Sequence, residues 1–211
     1  INREVTAAEL AASISADTGA TLLHPFEDFH VMAGQGTCAM EIVEQCAERE
    51  IGAIDTLLVP TGGGGLSAGC CLAMAELSPS TAVFAVEPEG YDDHVQSLSA
   101  GERTALTSSP ESLMDSLQAV APGEHTFPVT SKLLSGAIAV DDAEVTNAMA
   151  VAFETLQLVL EPVRMRCPTH PLHNLPSPPT QPPTLSPGHP LPNRPPALGL
   201  SAPPLGHPAL S

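Results

Sequence analysis

The 211 residues carry 24 acidic side chains against seven Lys and Arg, and all 24 fall within residues 1–162, where only Arg3, Arg49, Arg103 and Lys132 oppose them. So acidic a surface excludes nucleic acid and anionic lipid as partners, because their binding begins with Lys and Arg neutralising phosphates. No apolar run approaches the roughly 20 residues that span a bilayer, and the first residues form neither a basic n-region nor an apolar h-region, so a cytoplasmic protein is expected.

Composition divides the chain. Residues 163–211 hold 15 of the 23 prolines and no Asp or Glu, a run unable to bury enough apolar surface to offset ordering and expected to be disordered. The five cysteines are odd in number and contain no C-x-x-C pair, which argues against a disulfide framework or zinc site and for small buried thiols.

Taken in order, Thr6 with Glu9 three residues on has the spacing of a capping box and opens a helix over 7–16 that Gly19 stops. Residues 20–24 read as a short apolar strand closed by Pro25, and 26–30 as a turn. Thr37 caps a helix to about Glu50, with Met40, Val43 and Ala47 on one face and Gly52 past its end. Residues 54–60 form an apolar strand, 67–77 a helix and 81–87 another strand, a βαβ unit that implies a parallel sheet flanked by helices. Residues 92–100 are expected to be helical, 101–122 irregular and 131–134 a short helix. Residues 137–140 read as a strand, and 141–160 as a long helix, capped at Asp141 or Asp142 and with Val145, Met149, Ala152, Phe153 and Leu156 at helical spacing. Glu161-Pro162 ends it.

Between the first strand of that unit and its helix stands Thr61-Gly62-Gly63-Gly64-Gly65-Leu66. Four glycines lose more backbone entropy on ordering than any other residues would, so bare backbone must be required there. Successive N–H groups at a helix start converge on an anion, which the helix dipole also favours, and a phosphate meets that demand. A P-loop would need Lys and Ser or Thr after the glycines; Leu66-Ser67 follows instead. The dinucleotide fingerprint survives numerically in Gly63, Gly65 and Ala68, with Glu87 as an acidic residue about 20 positions on.

Several runs carry a wider resemblance: His24-Pro25-Phe26-Glu27-Asp28, Ala33-Gly34-Gln35-Gly36-Thr37, the glycine turn through Gly69, Val86-Glu87-Pro88, Asp115-Ser116-Leu117, Pro122-Gly123-Glu124-His125-Thr126-Phe127, Val140-Asp141-Asp142-Ala143-Glu144-Val145 and Leu160-Glu161-Pro162. In order and spacing this resembles the fold-type II pyridoxal-phosphate enzymes, in particular the serine/threonine dehydratases and serine racemases. The resemblance implies an α/β fold with a parallel twisted sheet. It also implies a cofactor, pyridoxal 5′-phosphate, held at its phosphate by Gly62, Gly63, Gly64, Gly65 and Leu66. On the same ground residues 1–30 are expected to be a remnant of a small domain and 31–162 part of the large cofactor domain.

The resemblance further implies a divalent-cation site, Mg²⁺ or Ca²⁺, with carboxylates from Glu87 and Asp93 and the backbone carbonyl of Tyr91; the alternative is a solvated acidic turn. Glu161 is similar to a family carboxylate near the cofactor, and equally reads as an ordinary charge at a helix end. The implied reaction is β-elimination from a small hydroxy amino acid, or its racemisation, in a homo-oligomer. Either course needs a Schiff-base lysine, which the family carries upstream of the glycine turn together with a Ser-x-Gly-Asn-His segment. Neither is in these residues: the sole lysine, Lys132, matches no family lysine, so the chain is expected to be a fragment without turnover. After Pro162 the family pattern gives way to the proline-rich run, as an altered reading frame, an unspliced segment or a misassembled gene model would produce.

Overall fold

A computed structural model describes residues 7–108 and 110–162; Thr6 and the proline-rich run 163–211 lie outside them. Helix α1 (Ala7–Thr18) forms over an alanine-rich stretch that loses little side-chain entropy in a helix, and it closes at Gly19 with φ +72°. The expected strand at 20–24 does not form. Those residues are exposed, and no strand among the described residues pairs with them, so their backbone groups gain no ladder that would hold them extended.

Helix α2 (Phe29–Glu48) starts well before Thr37. Asp28 caps it, its carboxylate accepting from the N–H of His30 at 2.7 Å and of Val31 at 3.1 Å, which holds its pKa below the ordinary 3.8. Thr37 is interior, donating to the Gly34 carbonyl at 2.7 Å. The buried face is Met32, Gly36 and Ala39, so Met40, expected inside, is 51% exposed. Packing against the next helix explains why a glycine sits inside α2: a Cβ on Gly36 would lie 2.8 Å from the Gly69 carbonyl oxygen, and one on Gly69 would strike the Met32 carbonyl.

Strand β1 (Thr56–Pro60), helix α3 (Gly65–Leu77) and strand β2 (Ala82–Pro88) make the expected βαβ unit. Helix α4 (Asp93–Ala100), a 3₁₀ turn (Asp115–Leu117) and helix α5 (Phe127–Leu133) lead to strand β3 (Gly136–Val140). The three strands are all parallel, in the order β1-β2-β3, with Pro60 beside Val86 and Glu87 beside Ala139. Side chains alternate across the sheet. Val59 and Val83 join Ala39, Cys70, Cys71, Met74 and Leu133 under α2, α3 and α5; Val86 and Val140 join Met114, Leu117, Val145, Ala148 and Ala152 on the other face. The result is a helix-flanked parallel sheet, as the sequence implied.

Helix α6 (Asp142–Val151) has a full capping box, with Asp141 accepting from Glu144 N–H and Glu144 from Asp141 N–H. It stops short of residue 160. A π turn (Ala152–Leu156) closes at Gln157, where φ is +57°, and Phe153 and Leu156 are 64% and 62% exposed. Their helical spacing continued the apolar pattern, but the core cluster takes only Ala152 and then Leu160.

Candidate functional site

In a parallel sheet every strand delivers its chain at the same end, and ligands bind in the crevice outside those carboxyl ends. Here β1 ends in the glycine turn, and Glu87 lies at the end of β2. The Thr61 N–H donates to the Val86 carbonyl at 2.9 Å, so the register sets the turn beside Glu87.

Gly64 takes φ +94° and serves as N-cap of α3, with Ala68 N–H and Ser67 Oγ both donating to its carbonyl. The N–H groups of Gly62, Gly63, Gly64, Gly65 and Leu66 meet no acceptor among the described residues. This is the anion-cradle arrangement: bare amides at the positive end of a helix of 13 residues.

The glycines are required on their packed side as well. A Cβ on Gly62 would stand 3.3 Å from Leu117 Cα, one on Gly63 would strike the Phe26 ring, and one on Gly65 would lie 2.9 Å from Phe26 Cβ. On Gly64 it would lie 2.8 Å from Thr126 Oγ1 and 3.0 Å from His94 Nε2. Thr126 Oγ1 donates to the Gly63 carbonyl at 2.6 Å, and Gly123 N–H donates to the same oxygen at 3.0 Å. Glu27 ties the two flanking loops together by accepting from His125 N–H at 2.9 Å. Glycines lose more backbone entropy on ordering than other residues, so the turn is both crowded and unfavourable in itself.

Within the acidic turn after β2, Glu87, Asp93 and His94 are each 0% exposed, whereas Glu89 is exposed. Glu87 accepts from His94 N–H at 2.9 Å and Val95 N–H at 3.0 Å, so its carboxylate also caps the start of α4. His94 Nδ1 lies 3.0 Å from Glu87 Oε1 and 3.6 Å from Asp93 Oδ2. Neither oxygen of Asp93 has a hydrogen-bond partner, nor has His94 Nε2. Desolvation, then repulsion by Glu87, pushes the Asp93 carboxyl well above its ordinary 3.8.

The structure brings Glu87 and Asp93 together with His94, to which the sequence reading gave no role. Tyr91 is buried nearby, its N–H on the Pro88 carbonyl at 2.9 Å. Glu161 is exposed and follows Leu160, which packs on the cluster containing Leu117. Lys132 is exposed at the last turn of α5. Phe26, Leu117 and Thr126 are the other residues for which sequence supplied a conspicuous run but no contact.

The profile of pyridoxal-phosphate dependent enzymes matches residues 2–163. A serine racemase of Oryza sativa subsp. indica is 39% identical over 153 residues, 72% of this chain and 43% of that protein. An L-threonine ammonia-lyase of Thermotoga maritima is 34% identical over 153 residues, 72% of this chain and 37% of that protein. Among solved structures, a threonine deaminase of T.th. superposes with a TM-score of 0.70 at 37% identity, covering 77% of this chain and 53% of that one. The chain thus spans under half the length of these two curated relatives. With most of its residues inside the family's boundaries and its fold shared with a solved threonine deaminase, the chain belongs to the pyridoxal-phosphate dependent enzymes.

Proposed function

We propose that residues 31–162 form the phosphate-holding part of a pyridoxal-phosphate-dependent L-serine/L-threonine dehydratase, which converts a small hydroxy amino acid to a 2-oxo acid and ammonia. The observation that carries this reading is the row of unpartnered amides at Gly62, Gly63, Gly64, Gly65 and Leu66. A phosphate fits them in charge and in the absence of side chains. When bound, the cofactor supplies an electron sink for the carbanion formed at the substrate α-carbon. The protein's part, within these residues, is to bind and orient: the amides fix the phosphate, and Phe26, Thr126 and Leu117 brace the turn.

The substrate class rests on the relatives' names, L-threonine ammonia-lyase and serine racemase. Those names equally support racemisation as a second reading, since the same cradle serves both and the residues that divide them are not among those at the turn. We assign Glu87, Asp93 and the Tyr91 carbonyl to a divalent cation that braces this end of the sheet. A cytoplasmic homo-oligomer fits the acidic, membrane-span-free character of the described residues. Lys132 is the only lysine of the sequence and is exposed at the last turn of α5, away from the glycine turn's own residues, so no nucleophilic lysine is assigned within these residues.

The test is titration of the purified chain with pyridoxal 5′-phosphate, followed by isothermal titration calorimetry, with pyridoxal and NAD as comparison ligands. The phosphorylated cofactor is expected to bind, and neither pyridoxal nor NAD to do so at the same concentration. Equal binding of pyridoxal, or preference for NAD, sinks the reading. No release of 2-oxo acid from serine or threonine is expected from the chain by itself.

A further inference from the structure

Helices α2 and α3 meet backbone to backbone. A Cβ on Gly69 would lie 2.6 Å from the Gly36 nitrogen, and one on Gly36 would lie 2.8 Å from the Gly69 carbonyl oxygen, so these two glycines admit an approach that side chains would block. A cysteine follows each of them within two residues, Cys38 on α2 and Cys70 on α3. Ala39 and Cys70 belong to one buried cluster, and the Cys70 thiol contacts both the Cys38 thiol and the Ala39 backbone N–H. Two free thiols therefore face each other across the helix interface.

Their surroundings differ in a way that divides labour between them. Cys38 is exposed, whereas Cys70 is 2% exposed, so an oxidant arriving from solvent reaches Cys38 alone. Burial, with repulsion from Cys38 added to it, pushes the Cys70 thiol up to about 12, which keeps it protonated and unreactive until an electrophile forms at its neighbour. Cys71 follows on α3, where successive side chains point about 100° apart, and lines a small cavity with Met74, Pro79 and Leu133.

We propose that Cys38 and Cys70 are an oxidation site at which hydrogen peroxide converts the exposed thiol to a sulfenic acid and the buried thiol then closes a disulfide joining α2 to α3. In the first step the Cys38 sulfur, its proton given to solvent, attacks one peroxide oxygen. The O–O bond breaks, and the departing hydroxide takes a proton to become water. In the second step the Cys70 sulfur attacks Cys38 Sγ. The S–O bond breaks, and the hydroxyl leaves as water with the Cys70 proton. The two thiols lose two electrons and two protons, and the peroxide is reduced to two waters. An uncharged oxidant suits a chain of formal charge −17, which repels anionic ones. The bond would fasten the second turn of α3, the helix whose first residue is Gly65 of the glycine turn.

The experiment treats the native 211-residue chain with hydrogen peroxide, unfolds it in alkylating reagent and maps the peptides by mass spectrometry. A peptide pair joined through Cys38 and Cys70 is expected, two hydrogens lighter than the free pair and separated again by dithiothreitol, with Cys46 and Cys71 recovered alkylated. Cys70→Ala removes the resolving thiol and is expected to leave Cys38 as a sulfenic acid that dimedone traps, a product the unaltered chain does not accumulate. Should Cys70→Ala not fold, Cys38→Ser changes an exposed position and is expected to abolish the disulfide and return Cys70 fully alkylated.

Pairing of Cys38 with any cysteine other than Cys70 overturns the proposal. So does oxidation of Cys38 to sulfenic or sulfinic acid in the unaltered chain while Cys70 stays a thiol, or oxidation of Cys70 in Cys38→Ser. A Cys38 that peroxide leaves unchanged overturns it as well.

Discussion

Replacing Gly64 with alanine isolates what the glycine turn demands. At φ +94° an L-residue in this left-handed region costs about 1–2 kcal/mol. Its Cβ would lie 2.8 Å from Thr126 Oγ1 and 3.0 Å from His94 Nε2. Both neighbours are fully buried, Thr126 pinned to Gly63 and His94 to Glu87, so neither gives way freely and overpacking adds about 1–3 kcal/mol. Loss of unfolded-state entropy returns only about 0.4–1 kcal/mol. The net expectation is about 2–4 kcal/mol, obtained by combining these strain, packing and entropy ranges.

The assay is urea unfolding of the full chain followed by circular dichroism, where a mid-range slope of about 2 kcal/mol per molar urea turns that loss into a midpoint drop of about 1–2 M. Gly101→Ala is the matched comparison: φ is +76° and nothing stands within 4 Å of the added Cβ, so it carries the strain without the collision. Equal midpoints for the two variants refute the packing half of the reasoning; an unchanged midpoint in Gly64→Ala refutes all of it.

Gly69→Ala is expected to destabilise the chain by about 3 kcal/mol or more, since its Cβ would meet backbone of α2 that only a shift of the whole helix relieves. Gly34→Ala, in α2 with open space around its Cβ, is expected to be neutral or to stabilise by up to about 1 kcal/mol; thermal unfolding of both separates helix approach from helix propensity. Burial pushes the Cys70 thiol from its ordinary 9.0 up to about 12, and the Cys71 thiol up as well, whereas Cys38 is exposed. At pH 8, iodoacetamide is expected to label Cys38 and to spare Cys70 and Cys71 until urea unfolds the chain, as read by peptide mapping. The sign for stability follows: above pH 9 the unfolded thiols ionise while the folded ones stay protonated, so stability falls as pH climbs from about 9 towards 12.

Much of this molecule was legible before its coordinates, for local reasons. The βαβ unit, the glycine turn and a cap at Asp141 or Asp142 are written in stretches of a few residues, where propensity, periodicity and capping chemistry act within one turn of chain. The errors came where another element decides. Residues 20–24 have the composition of a strand but no pairing strand among the described residues. Thr37 read as the cap of a helix, yet it lies inside α2, because Gly36 fits the backbone of α3 and Asp28 caps upstream. Phe153 and Leu156 kept a helical spacing that the core did not use.

The site divides the same way. The amino-acid sequence by itself determined that residues 62–65 put bare backbone at the start of a helix and that Glu87 and Asp93 flank one short turn, because both follow from short spacings. Only the tertiary structure decided that Phe26 and Thr126 wall the turn, and that His94 joins the two carboxylates with its far edge on Gly64. The physical reason is register: pairing Pro60 with Val86 brings the ends of β1 and β2 together, and no local pattern in either strand encodes that alignment.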